Sequence, residues 1–215
     1  MRIMIIGGSR LGGEVARRLR EDGHEITLFE EDAKAAEALA EDLDIAVINA
    51  DGTDVDELED AGLMDMEVFM ALTGSDETNL MACEIAKIKG VGKVIARANR
   101  GGDRELFEKL GVDVVLTPAY IAATAFRDAV IGGVKTVCVL EEDFEIVEHI
   151  IEEGSIAAGK RIRELGFPRE SRVLIIYRDG KGVIPYGDTS LKAGDKILVL
   201  TRRKNLEELL SHLTS

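Results

Sequence analysis

The sequence predicts an α/β protein: a doubly wound parallel sheet followed by a smaller C-terminal α+β domain. Three observations carry that prediction. Over the first 117 residues, short aliphatic runs alternate with segments of helical period. A glycine-rich hexapeptide, Gly7-Gly8-Ser9-Arg10-Leu11-Gly12, separates the first such run from the first helical segment. After Gly132-Gly133 the alternation stops and closely spaced strand-like runs take over.

Six runs read as buried strands: Ile3–Ile6, Ile26–Phe29, Ile45–Ile48, Val68–Leu72, Val94–Ala96 and Val112–Leu116. Each is apolar almost throughout, as a strand covered on both faces must be. Between them lie amphipathic segments. Leu11, Val15 and Leu19 make one helical face, and Ala35, Ala38, Leu39 and Leu43 a second. Leu80, Cys83, Ile85 and Ile88 mark a longer helix, and Leu106 with Leu110 another. Strands alternating with helices imply right-handed crossovers and a parallel sheet. Ala119–Ile131 reads as a helix stopped by Gly132-Gly133. That pair is the expected boundary between domains 1–134 and 135–215. In the second domain, Val137–Leu140, Ile146–Ile151, Val173–Tyr177, Gly182–Pro185 and Ile197–Leu200 read as strands. Asp179-Gly180 is a hairpin turn signal. Ala158–Leu165 and Leu206–Leu213 read as short helices.

Composition removes several function classes. The chain has 215 residues and a net charge of −14. Residues 1–134 hold 14 basic and 27 acidic side chains, a net of −13, and residues 135–215 hold 13 and 14, a net of −1. Between Lys34 and Lys87 there is no lysine or arginine. So acidic a chain repels nucleic acid. Cys83 and Cys138 form no C-x-x-C pattern, so neither a disulfide framework nor a zinc knuckle is indicated. Both thiols read as buried and inert, on a helix and a strand. The N-terminus lacks a signal-peptide pattern, and the longest weakly polar stretch, Ala119 to Leu140, is broken by Arg127, Asp128 and Lys135. A cytoplasmic protein without direct membrane insertion is expected.

The hexapeptide is the dinucleotide fingerprint with its middle glycine replaced by Ser9, at the head of a Rossmann-like fold. Gly7 permits the tight turn and Gly12 the close packing of helix on strand. The helix N-terminus offers free N–H groups and a positive dipole end to an anion. Glu30 ends the second strand, 23 residues after Gly7, at the spacing of the acid that bonds a ribose diol. An acid there disfavours a 2′-phosphate. The alternative is that Glu30, with Glu31 and Asp32, is a solvated helix cap. Ligands in such sheets bind beyond the carboxyl ends of the strands. Asp51-Gly52-Thr53 and Thr73-Gly74-Ser75 follow strands three and four, and Arg97 ends strand five. The first two are candidates for adenosine and phosphate contact, and Arg97 for a phosphate. They read equally as a turn, an N-cap and a surface arginine.

Several segments together resemble the regulators of conductance of potassium. Ala50-Asp51-Gly52-Thr53-Asp54 is similar to their G-D-A-T-D segment. Thr73-Gly74-Ser75-Asp76-Glu77-Thr78-Asn79 is similar to T-x-x-D-E-x-N, Val94-Ile95-Ala96-Arg97-Ala98-Asn99 to V-I-A-R-x-N, and Leu110-Gly111-Val112-Asp113 to L-G-A/V-D. In the second domain Ala158-Gly159-Lys160, Ile184-Pro185-Tyr186-Gly187-Asp188-Thr189 and Ala193-Gly194-Asp195 resemble the carboxyl domain of TrkA-type proteins. The resemblance implies a regulatory subunit at the inner face of the membrane that gates a membrane-embedded potassium transporter or channel. It implies homo-oligomers, dimers or rings of dimers, that bind NAD(H) or an adenine nucleotide (ATP, ADP or AMP). The family's nucleotide contacts fall on Gly7, Ser9, Arg10, Leu11, Gly12, Glu30, Asp51, Thr53, Thr73 and Arg97. Gly8, Glu31, Gly52 and Gly74 complete the candidate set as their immediate neighbours. Asn79 matches the motif, as a contact or as a structural residue of helix and loop. The chain departs from the family at Ser9, at Gly101-Gly102 after the fifth strand, and at Pro118-Ala119, where some members carry an acid for a divalent cation. No metal site is expected.

A dehydrogenase is the rival class. It needs a proton donor near the nicotinamide. His24, His149 and His212 are scattered and read as surface or packing residues. Tyr177 and Lys181 flank a turn and cannot lie one turn apart on a helix. No catalytic residue is assigned. A free-standing nucleotide sensor is the third reading. In any of them the −13 of residues 1–134 leaves phosphates dependent on local donors. It also makes nucleotide affinity salt-dependent.

Overall fold

A computed structural model describes residues 1–100, 103–140 and 143–214. Gly101-Gly102 lies outside the described residues. Contacts divide the chain into two units, Met1–Ile121 and Ala122–Ser215.

In the first unit, β1 (Arg2–Ile6) runs into α1 (Arg10–Glu21), and β2 (Glu25–Phe29) into α2 (Ala33–Asp42). Next come β3 (Ala46–Ile48), α3 (Val55–Asp60), β4 (Val68–Ala71), α4 (Asp76–Ile88), β5 (Lys93–Arg97), α5 (Arg104–Lys109) and β6 (Val114–Leu116). All six strands are parallel, in the order β3-β2-β1-β4-β5-β6. The order reverses between β1 and β4, which is where a doubly wound sheet opens its ligand crevice. Met4 and Ile6 of β1 face one apolar layer, with Phe69, Ala82 and Cys83, while Ile3 and Ile5 face the other, with Ala16 and Leu28. That alternation explains why β1 has no polar residue after Arg2: both its faces are covered.

α3 escapes the periodicity reading. Asp54 caps it by accepting from the Asp56 and Glu57 N–H groups, yet Leu58 is its only buried residue. With one apolar anchor there is no stripe to detect.

α6 (Pro118–Ile131) crosses the division between units, which falls earlier than the Gly132-Gly133 pair. In the second unit, β7 (Val134–Val139), β8 (Phe144–Ile150), β9 (Arg172–Arg178), β10 (Lys181–Val183) and β11 (Lys196–Arg202) form an antiparallel sheet in the order β10-β9-β11-β8-β7. α7 (Leu206–Ser211) buries Leu206, Leu209 and Leu210 in this unit's apolar core. Asp179 and Gly180 both have positive φ, 50° and 74°, as a two-residue hairpin of matching twist requires.

The helix expected over Ala158–Leu165 is not formed; only a 3-10 turn, Ile162–Glu164, appears there. Gly159 sits at φ 83°. The N–H groups of Gly159, Ile162 and Arg163 donate to Leu191, Thr189 and Gly187 carbonyls instead of four residues back. Long-range pairing has taken the bonds a helix would need. Cys138 also departs from expectation. Cys83 is buried, but Cys138 is exposed, because β7 is an edge strand whose residues from Val137 to Val139 all face solvent.

Candidate nucleotide-binding site

The carboxyl ends of β1, β2, β4 and β5 bring together the loop, Glu30, Thr73 and Arg97. Gly7 has φ 101°, and a Cβ there would stand 3.0 Å from the Thr73 backbone. Its N–H donates to the Phe29 carbonyl at 2.8 Å, tying the loop to the end of β2. A Cβ on Gly8 would lie 2.4 Å from Leu39 Cδ1, and one on Gly12 1.9 Å from the Gly7 carbonyl oxygen. The loop is therefore as tight as an uncovered backbone allows.

Ser9 precedes α1 without capping it. Its hydroxyl and the Arg10, Leu11 and Gly12 N–H groups have no partner among the described residues; the first intrahelical bond is Gly13 N–H to the Ser9 carbonyl. Free first-turn amides at a helix dipole's positive end suit an anion. The other arginines of α1 are paired: Arg17 with Asp42, Arg18 with Glu14, Arg20 with Asp44. Arg10 is exposed and has no carboxylate partner among the described residues.

Glu30 is half-buried. Its carboxylate accepts from the Gly8 N–H at 2.7 Å and the Asp32 N–H at 2.9 Å. A carboxylate has about four lone-pair sites, so capacity remains for two hydroxyl donors. Asn49, a residue the sequence reading passed over, donates to the Glu30 and Glu31 carbonyls at 2.8 and 2.9 Å. It braces the turn that carries Glu30, and its only sequence signal is its place at the end of β3. Glu31 itself is exposed.

On the other side of β1, Arg97 is half-buried at the end of β5. One Nη donates weakly to the Leu72 carbonyl, at 3.4 Å. Its Nε is buried and has no hydrogen-bond partner among the described residues. Such an orphaned N–H costs ~1–3 kcal/mol, which an incoming phosphate oxygen would offset. Thr73, at the end of β4, already has partners: its N–H and hydroxyl both donate to Asn79 Oδ1, at 2.9 and 2.7 Å. It frames the site with its donors already engaged.

Asp51 Oδ1 accepts from the Thr53 N–H and hydroxyl, at 2.8 and 2.7 Å, closing a local turn. Gly52 is needed because a Cβ would lie 2.1 Å from Ile6 Cγ2. Gly74 meets nothing within 4 Å, and nothing in the structure explains a glycine there. A shallow depression of about 510 Å3, lined by Arg20, His24, Glu25 and Asp44, lies at the amino ends of β2 and β3, opposite the loop. Among the described residues no cluster of three metal-ligating side chains occurs. None of their helices is long and apolar enough to cross a membrane.

The TrkA-N domain model matches residues 3–118 and the TrkA-C domain model residues 146–214. The chain is 32% identical over 217 residues to a Trk system potassium uptake protein TrkA homolog of Methanothermobacter thermautotrophicus, covering 100% of both chains. It is 34% identical over 218 residues to the homolog of Pyrococcus horikoshii, covering 97% of this chain and 95% of that one. Among solved structures, it aligns with the GsuK channel bound to NAD at TM-score 0.61 and 19% identity, over 100% of this chain and 39% of that one. GsuK bound to ADP aligns at TM-score 0.52 and 20% identity, over 59% of this chain and 35% of that one. The channel likeness shows the fold alone, and this chain spans well under half of those chains. The domain match over more than half the sequence and the end-to-end likeness to its relatives make the chain a member of the TrkA family of Trk-system potassium uptake proteins.

Proposed function

We propose that the chain is a cytoplasmic, nucleotide-binding regulatory subunit that gates a membrane-embedded potassium transporter or channel. The observation that carries the nucleotide reading is the buried Nε of Arg97, without a partner among the described residues, at the carboxyl end of β5, the same edge of the sheet at which α1 begins with free amides after β1. Local donors of this kind are what a phosphate needs in a unit so acidic. The ligand is NAD(H) or an adenine nucleotide, the two classes found on the fold neighbours. Glu30 takes the ribose hydroxyls. Ser9, Arg10 and the α1 amides take the phosphates next to the loop, and Arg97 takes a phosphate reaching towards β5. A bound nucleotide supplies negative charge and a bridge across the crevice. It can shift a conformational equilibrium only through its differential affinity for the two states.

The subunit acts as a homo-oligomer. Phe126 and Val130 of α6, 74% and 87% exposed and four residues apart, offer one apolar helix face for a second copy. In this reading the nucleotide is a signal and not a reactant.

The decisive experiment is a calorimetric titration with NAD, NADH, ATP, ADP and AMP, with Glu30→Ala as control. Hydrogen bonds to charged groups are worth ~1.5–3 kcal/mol, so Glu30→Ala should weaken binding by roughly ten-fold or more. No binding by the parent would remove the basis of the proposal, and unchanged binding by Glu30→Ala would remove the ribose assignment. Co-purification with a membrane subunit separates a transporter regulator from a free-standing sensor.

A further inference from the structure

α4 opens on two polar side chains that solvent barely reaches. Asp76 is 8% exposed and Asn79 fully buried. Three residues apart, they share a helical face. Asn79 uses its whole hydrogen-bonding capacity. Its Oδ1 accepts from the N–H and the hydroxyl of Thr73, while its Nδ2 donates to the Thr73 carbonyl at 3.2 Å and the Arg97 carbonyl at 2.9 Å. Asp76 accepts from the Asn99 N–H at 2.6 Å, the Asn99 side-chain amide at 2.8 Å and the Arg100 N–H at 3.1 Å.

These bonds exceed what starting a helix requires. Ser75 already caps α4 by accepting from the Thr78 N–H. Asn79 and Asp76 instead tie the end of β4 to the end of β5 and to Asn99 and Arg100 beyond it. Thr73, held by Asn79, is also the residue packed against Gly7. A continuous path therefore runs from the phosphate loop through Thr73 and Asn79 to the backbone of Arg97. The Arg97 Nε stays orphaned at the end of that path. A strand end free to shift would let the guanidinium find water.

We propose that Asn79, with Asp76 beside it, is a positioning residue: it fixes the end of β5 relative to the phosphate loop so that Arg97 meets the phosphates of the nucleotide. Full burial excludes direct contact between Asn79 and a ligand. The proposal rests on the nucleotide reading above and adds to it a route by which an uncontacted residue sets affinity.

The test is a double-mutant cycle on ATP binding, using the full chain, with Asn79→Ser and Arg97→Ala. Each protein is first checked for a cooperative melt. Arg97→Ala should weaken ATP binding about ten-fold, as loss of a charge-assisted bond does, and Asn79→Ser several-fold. The double variant should bind within about two-fold of Arg97→Ala alone, because contacting or serial residues are non-additive. If Asn79→Ser does not fold, Asp76→Asn takes its place in the same cycle; a general change of field cancels between the two backgrounds. Equal fold-losses in both backgrounds would show a merely structural brace and overturn the proposal. So would an Arg97→Ala protein, or a folded brace variant, that binds like the parent. A parent that binds no nucleotide would overturn the functional reading itself, whereas a binding parent with additive losses overturns only the positioning role.

Discussion

Gly12→Ala is the sharpest test of how the loop is built. The added Cβ would stand 1.9 Å from the Gly7 carbonyl oxygen and 3.0 Å from its carbon. An unstrained C···O contact is about 3.3 Å, so the start of α1 and the loop must part by roughly 1.4 Å. Both clashing groups are backbone, so no side chain can swing away. Overpacking typically costs ~1–3 kcal/mol, and a backbone-only clash places this site near 3 kcal/mol. For a unit of this size that lowers the midpoint by about 10 °C. The natural control is Gly74→Ala, where nothing lies within 4 Å and φ is ordinary. It should stay within about 0.5 kcal/mol of the parent. Thermal and urea melts of the three proteins without nucleotide, followed by circular dichroism, make the comparison. A Gly12→Ala protein that melts with the parent would refute the packing argument. A Gly74→Ala protein that falls equally far would show that any added methyl near the crevice is harmful.

The remaining predictions concern acid stability and thiol chemistry. Burial pushes the Asp195 carboxyl up, but the Arg178 guanidinium and the Lys192 N–H outweigh it and hold it below its ordinary range. A depressed folded value stabilises above the unfolded pKa of about 3.9 and is lost as pH falls through the folded value. Urea midpoints of the second unit should therefore drop below roughly pH 4, and Asp195→Asn should flatten that limb; a parallel fall in both proteins would count against it. Asp128 works the same way: burial raises it, while the Thr136 N–H and Arg127 bring it below the usual range. Cys138 is exposed, whereas burial pushes the Cys83 thiol up to about 12. A chromogenic disulfide reagent should react at once with a single thiol per chain and reach Cys83 only in denaturant. Two fast thiols would place Cys83 wrongly.

Much of the first unit was legible because its signals are local. The strands of β1, β2, β4 and β5 are short aliphatic runs, and the loop that follows β1 carries its glycines at positions where a Cβ collides with backbone or side chain. The Glu30 position follows from spacing alone. What could not be read depends on partners distant in the chain. Residues 158–165 have helical composition, but their N–H groups are claimed by residues 187–191. Cys138 lies in an apolar run, but only the sheet order makes β7 an edge. Asn49 carries no motif until β3 sets it beside the Glu30 turn.

The residues by themselves thus determined which segments are strands and helices, where an anion can meet free amides, and how acidic the surroundings are. Those properties arise from backbone geometry and periodicity over a few residues. Only the tertiary structure decided which polar groups remain available. Thr73 and Arg97 look alike in sequence as polar residues at strand ends. In the fold, Asn79 consumes the donors of Thr73, while the Nε of Arg97 is buried without an acceptor among the described residues. Hydrogen-bond capacity is shared among neighbours in space, so which donor is left for a ligand is settled by long-range contacts.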